Sequence, residues 1–234
     1  MIRRLLITLV SSSLGLPVFA GGMDDDPLIG KVMIGQFETR STDGSNPLVL
    51  EAHGWLGKDL QKLWIKTDIE RADGDNEEVE VQALYSRAIA PYWDFQVGWR
   101  HDSRPEPDRD WAVIGFQGVA PYWFEIDAAV FIGESGQTAV RLEAEYEALF
   151  TQQLILTPEV KMNVFGRDDA ATGIGSGLSD IELGVRLRYE IKREFAPYIG
   201  VNWTKLYGDT ADFARAEGED VDDVQFVVGV RAWF

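Results

Sequence analysis

Over the last eleven residues, Val224, Phe226, Val228, Val230, Ala232 and Phe234 are apolar at every second position, while Gln225, Gly229, Arg231 and Trp233 fill the alternate face. A period of two marks a strand with one apolar and one wetter face. The period recurs upstream. In 137–149, Val140, Leu142, Ala144, Tyr146 and Ala148 alternate with Arg141, Glu143, Glu145 and Glu147. In 178–191, Ile181, Leu183, Val185, Leu187, Tyr189 and Ile191 alternate with Asp180, Glu182, Arg186, Arg188 and Glu190. In 153–165, Leu156, Val160, Met162 and Val164 oppose Glu159, Lys161 and Asn163. Other segments carry Lys66, Asp68 and Glu70, then Glu80 and Gln82, then Asp94, Gln96 and Arg100, then Glu125 and Asp127, on their polar faces.

The pattern predicts about twelve strands, at 30–40, 48–57, 62–72, 78–88, 93–102, 110–120, 123–134, 137–149, 153–165, 178–191, 197–207 and 223–234. Roughly ten residues is the length a tilted membrane-spanning strand requires, and an even count suits a bacterial single-chain barrel. The expected fold is therefore all-β, a single antiparallel outer-membrane barrel whose apolar faces meet lipid and whose last strand, ending on an aromatic, closes on the first. The segments expected outside, 41–47, 73–77, 103–109, 135–136, 166–177 and 208–222, are mostly long, charged or rich in Gly and Pro. The opposite turns are shorter and include Ala90-Pro-Tyr-Trp93, Ala120-Pro-Tyr-Trp123 and Ala196-Pro-Tyr198. Proline punctuates a turn, and Tyr and Trp favour the headgroup level, so three turns of a periplasmic aromatic girdle are expected.

The amino end explains how such a chain reaches that membrane. Arg3 and Arg4 precede an apolar stretch from Leu5 to Leu16, with Val18 and Ala20 at the small-residue positions of a cleavage site. Residues 1–20 read as a secretory signal peptide, 21–29 as a short acidic periplasmic lead-in and 30–234 as the barrel. The arginine pair also occurs in twin-arginine signals, but that route carries folded cargo and a barrel must cross unfolded. Beyond the leader there is no run of about eighteen apolar residues for a membrane helix, so strands must do the spanning. The chain has no cysteine, so no disulfide is available in the oxidising compartment. Its formal charge of −17 becomes −19 once the leader goes, because that segment holds two arginines and no acid. Such a surface disfavours nucleic acid and anions and attracts cations.

Candidate chemistry then falls to the inner faces. Arg141, Glu143, Glu145, Glu147, Asp180, Glu182, Arg186, Arg188 and Glu190 are expected to form a lumenal charge lattice, with Arg141, Arg186 and Arg188 facing the glutamates. Such a lattice serves either as a structural salt-bridge network or as the acidic lining of a cation path. The chain has two histidines. His53 has inward parity with Glu51 and is a candidate metal ligand beside a carboxylate, or a structural hydrogen-bonding residue. His101, at the outer end of its strand next to Asp102, shares the side of Trp99 and is a candidate rim ligand or an interfacial residue. His101 and Ser103 also share a face, which leaves a rim lipid hydrolase as a remote alternative, although near neighbours on one strand rarely achieve the geometry of such a site. Gly173-Ile-Gly-Ser-Gly177 lacks the Lys and helix of a phosphate cradle. Met33 and Met162 read as packing residues.

The blocks EVQALYSRAI at 80–89, VGWRHD at 97–102, APYWFE at 120–125, RLEAEYE at 141–147, GIGSGLSD at 173–180, RLRYEI at 186–191 and EFAPYIGV at 194–201 resemble the outer-membrane copper-resistance protein B family. The resemblance runs in order from about Met33 to Phe234. It implies a Gram-negative outer-membrane barrel, not an enzyme, with copper ions as ligand, outer-membrane lipid as surroundings and a periplasmic multicopper oxidase as a partner. Many members carry a Met- and His-rich segment before the barrel, a soft-ligand store for copper. Here residues 21–30 supply only Met23, beside Asp24, Asp25 and Asp26. The expected function is thus barrel-borne: binding or moving copper through an acidic lumen, with His53, Glu51, His101 and Asp102 as ligands. The alternative is a general cation-permeable or structural barrel with no copper site of its own.

Overall fold

The computed structural model describes residues 26–42, 46–72 and 74–234. The expected signal peptide and residues 21–25 of the lead-in lie outside the described residues. The strands are β1 (Ile29–Ser41), β2 (Leu48–Lys58), β3 (Gln61–Ala72), β4 (Asp75–Ala90), β5 (Trp93–Arg104), β6 (Arg109–Ala120), β7 (Phe124–Gly133), β8 (Thr138–Tyr146), β9 (Ala148–Leu149), β10 (Leu154–Phe165), β11 (Gly177–Tyr189), β12 (Phe195–Leu206) and β13 (Asp222–Trp233). Each pairs antiparallel with its neighbour in the chain, except that β8 and β9 both lie along β10. Their register on β10 is continuous across Glu147, so they are two pieces of one staff. The barrel therefore has twelve staves, as the alternation predicted, and β13 pairs with β1 to close it.

Closure removes every unpaired edge, which hydrocarbon would otherwise penalise. It extends to the last residue: the Val32 N–H donates to the Phe234 carbonyl at 3.0 Å, and the Phe234 N–H to the Val32 carbonyl at 2.9 Å. The alternating faces are where the period placed them. Val224, Phe226, Val228, Val140, Leu183, Val185 and Tyr189 are exposed outward, while Arg141, Arg186 and Arg188 are buried inward.

In β1, register against both neighbours shifts around Gly35. The extra residue of this bulge reverses the parity of the strand. Gln36, Glu38 and Arg40 are buried toward the lumen beyond it, and Lys31 and Met33 line the lumen before it.

The turns at Pro91–Tyr92 and Pro121–Trp123 match the girdle expectation, since Tyr92, Tyr122 and Trp123 are largely exposed. Tyr92 and Tyr122 each have φ of 68°, a left-handed conformation following proline. The third copy departs from that expectation. Ala196, Pro197 and Tyr198 lie inside β12, where Pro197 opposes Val230 and Tyr198 is 4% exposed. Inward parity on a paired strand, rather than the Pro-Tyr dipeptide, decides where that ring goes.

A second departure lies at the other end, where the expected loop 208–222 contains a helix, α1 (Gly208–Glu217). It ends on Gly218 in the left-handed conformation, whose N–H bonds back to the last turn. Thr210, buried on this helix, accepts from the Gly175 N–H at 2.8 Å and meets Ser179 Oγ at 3.1 Å, fixing α1 to the long-loop end of β11. No helix of the described residues is long and apolar enough to cross a membrane.

Candidate functional site in the barrel lumen

Two buried Arg–Glu–Arg arrangements organise the lumen. In the first, Glu38 on β1 accepts from Arg40 Nε at 2.9 Å and from Arg186 Nε and Nη2 at 2.8 and 2.9 Å. The Tyr198 hydroxyl adds a bond to Glu38 at 2.9 Å. Arg186 also donates to Glu159 at 2.8 Å and to Gln36 at 2.9 Å, and Arg40 reaches Glu182 at 3.0 Å. In the second, Glu80 on β4 receives Arg141 at both oxygens, each at 2.9 Å, and Arg100 at 2.8 Å. Arg100 also holds Asp102 at 2.6 and 2.9 Å, and Asp102 accepts from the Trp111 indole at 2.8 Å. Charges removed from water persist only when paired and hydrogen-bonded, and nearly every donor here has an acceptor.

An apolar patch supports the second arrangement from beneath. Trp64, Leu84, Trp111, Val113, Phe131 and Ala139 pack together on the inner faces of β3, β4, β6, β7 and β8. The Arg100 and Arg141 guanidiniums sit 4.7 and 5.4 Å from the centroid of the Phe131 ring. Cation–π contact lets this patch carry charged neighbours without desolvating them into pure hydrocarbon.

These side chains divide the lumen into two cavities. The one toward the short-turn end, where β1 begins and β13 ends, is about 560 Å³ and includes Met33, Glu51, His53, Lys66, Asp127 and Arg231 in its wall. The one toward the long-loop end is about 430 Å³ and includes Arg40, Asp102, Lys161, Asp180 and Glu182. Arg141 lines both. Lys161, in the wall of the second, lies 3.7 Å from Glu143, in the wall of the first.

The candidate ligands separate. His53 and Glu51 face the short-turn cavity together, with the His53 ring packed 5.5 Å from that of Trp64. His101 and Asp102 face opposite ways. His101 is stacked on Trp99 at 5.5 Å and takes Asp110 at 2.9 Å on its Nδ1, on the outer side, whereas Asp102 is committed to Arg100 inside. The structure thus does not bring those two together. Among the described residues no group of three or more His, Cys, Asp or Glu is placed to hold a metal ion.

The lattice residues are inward, but the expected partnerships need correction. Arg141 is held chiefly by Glu80 and Arg186 by Glu38, pairings that alternation does not reveal because it gives the face of a residue and not its partner. Arg188 does meet Glu147, at 2.7 Å, with Glu190 at 3.9 Å. Glu145 belongs to Arg231, at 3.0 Å. Asp180 accepts from Asn163 at 2.9 Å. Alternation does not mark Gln36, Glu38 and Arg40 as inward because the bulge hides the parity of β1, and Met33 reads as packing because methionine readily fills apolar surface. Met33 instead lines the cavity directly opposite His53 in the β1–β2 register.

At the long-loop mouth, Asp169 is clasped by Arg109 through Nε at 2.7 Å and through Nη2, and by Gln137 at 2.9 Å. Burial alone would raise its carboxyl, but the Arg109 bonds and charge, with Gln137, outweigh that and hold it below the usual range.

The chain matches the copper resistance protein B precursor family over residues 28–234. It is 45% identical over 203 residues to copper resistance protein B of Escherichia coli, covering 87% of this chain and 69% of that protein. A homolog from Pseudomonas syringae pv. tomato is 45% identical over 199 residues, with coverage of 85% and 68%. Among solved structures, the NanC porin superposes with a TM-score of 0.57 at 12% identity, covering 87% of this chain and 99% of that one. The KdgM porin does so at 0.55 and 14%, covering 88% and 99%. At those identities the porins share the fold.

Proposed function

The chain belongs to the copper resistance protein B family, and from that premise we propose that this outer-membrane barrel binds copper ions in its short-turn, periplasmic cavity and passes them along the lumen. The observation that carries the proposal is the position of His53, an imidazole with Glu51 beside it in a cavity whose wall also holds Met33, several carboxylates and cations, and part of the apolar patch around Trp64 and Phe131. Carboxylates alone make a hard oxygen site that suits Mg or Ca, and an imidazole moves the preference toward copper. His101, on the outer side, belongs to the interface in this reading, and Asp102 to the charge network. A multicopper oxidase at the periplasmic end is the partner the family suggests.

Titration of the detergent-solubilised protein with Cu(II) and Mg tests the proposal. The wild type is expected to prefer Cu(II), His53→Ala to weaken its binding, and His101→Ala to leave it unchanged. Equal Cu(II) affinity in all three would remove the His53 site.

A second reading, a general cation-permeable barrel, is favoured by the lack of a three-ligand cluster among the described residues. It expects no discrimination between Cu(II) and Mg in the same titration.

A further inference from the structure

The described residues contain two methionines and two histidines. One of each faces outward: Met162 lies among the lipid-side positions of β10, and His101 stacks on exposed Trp99. The other two, Met33 and His53, both line the periplasmic cavity and are direct cross-strand partners. Opposed residues on one face of an antiparallel pair hold their Cβ atoms roughly 4.5–5.5 Å apart, so a thioether and an imidazole can converge on one ion. The Gly35 bulge makes this juxtaposition compatible with the rest of β1, since without it Met33 and Glu38 could not both face inward.

The surroundings suit a monovalent soft cation. No hydrogen bond among the described residues engages the His53 ring, which rests on Trp64. Of the nearby cations, Arg231 pairs with Glu145 at 3.0 Å and Lys66 with Asp127, while Lys31 sits over the Trp233 ring at 5.3 Å. Arg231 Nη2 donates to Met33 Sδ at 3.9 Å, a weak contact that copper binding would replace, with Arg231 keeping its pair with Glu145. Glu51, next on the face of β2 that carries His53, offers a carboxyl oxygen beside the pair without completing a hard oxygen shell.

We propose that Met33 and His53 form a soft-donor site that selects Cu(I). Thioether sulfur favours Cu(I) over harder ions, and imidazole accepts either copper state. The inference rests on the copper reading above and adds to it the oxidation state and the second ligand.

The test is competition for Cu(I), kept reduced with ascorbate, between the solubilised protein and a chromogenic Cu(I) chelator, repeated for Met33→Leu, His53→Ala and Met162→Leu. Met33→Leu conserves volume and should fold, which heat-modifiable migration on gels verifies. Met33→Leu and His53→Ala are each expected to lower Cu(I) affinity by about tenfold or more, with Met162→Leu at the wild-type value. For Cu(II), only His53→Ala should weaken binding. Wild-type Cu(I) affinity in Met33→Leu, with His53→Ala impaired, overturns the soft-donor pair and leaves the copper reading intact. Wild-type affinity in both variants overturns both.

Discussion

The Arg141 guanidinium and the Glu80 carboxylate, 61 residues apart in sequence, meet fork to fork across the lumen wall with both nitrogen–oxygen distances at 2.9 Å. Bidentate pairing of this kind fixes geometry as well as charge. Its position decides how much it matters: Glu80 is 1% exposed and serves Arg100 as well. Glu80→Leu strands two buried guanidiniums and is expected to destabilise the barrel by about 3–5 kcal/mol. Glu145→Leu should cost less, about 1–3 kcal/mol, because Arg231 is less buried and keeps Glu147 at 3.7 Å. Ala144→Leu, on the lipid side, should be neutral. Urea-induced unfolding in detergent ranks the three, and a Glu145→Leu loss equal to that of Glu80→Leu would refute the hierarchy.

The order of those effects also shows what alternation could and could not reveal. A period of two is local, so the faces of β8 and β11 followed from Val140 to Ala148 and from Ile181 to Tyr189 without any tertiary information. Which acid meets which arginine is set by strands far apart in the chain, and Arg186 finds Glu38 across 148 residues. The bulge at Gly35 erased the signal for Glu38 and Arg40, since strict alternation cannot carry parity through an extra residue. Helix α1 is unreadable for another reason: its weakly amphipathic run in an acidic loop is held by the Thr210 contacts with Gly175 and Ser179 and by burial of only two alanines, Ala211 and Ala214. His53 was placed by parity, and its neighbour Met33 only by register.

Closure depends on the final residue. Phe234 contributes two backbone hydrogen bonds to Val32 and an exposed ring at the short-turn rim. Deleting it leaves Val32 unpaired at the seam and removes the terminal aromatic, so assembly should falter and protein should accumulate in a protease-sensitive periplasmic form. Cell fractionation with protease challenge measures this. Normal insertion of the deletion variant would show that β1 and β13 close without it.

The Asp169 clasp makes the long-loop mouth sensitive to acid. The folded carboxyl lies below its unfolded value of about 3.9. A depressed carboxyl contributes stability that is fully present above the unfolded pKa and is lost as pH falls through the folded one. Protection factors of the amides in 166–176, corrected for intrinsic exchange at each pH, should therefore be unchanged from neutral pH to about 5 and fall below about 4. Asp169→Asn, which cannot pair with Arg109 as an anion, should show weak protection with little pH dependence. The same acid-induced loss of protection in Asp169→Asn would place the sensitivity elsewhere.

The partition between the cavities is the remaining determinant of any flux. Arg141 borders both sides, and the Lys161–Glu143 contact at 3.7 Å spans the divide. A cation crossing the lumen must pass two fixed positive groups before it reaches further carboxylates, so the wild-type barrel should conduct poorly in planar bilayers. Charge and bulk at Lys161 can be separated. Lys161→Met keeps most of the stem and removes the charge, and should raise cation selectivity with little gain in conductance. Lys161→Ala removes both, joins the cavities beside Asp68, Glu143 and Asp180, and should raise conductance several-fold with the same cation preference. Arg141 is unsuitable for this comparison, because its loss would strand Glu80 and disturb the wall itself. Wild-type conductance in Lys161→Ala would locate the barrier at the two Arg–Glu–Arg arrangements, where relieving it requires breaking the pairs that hold the barrel together.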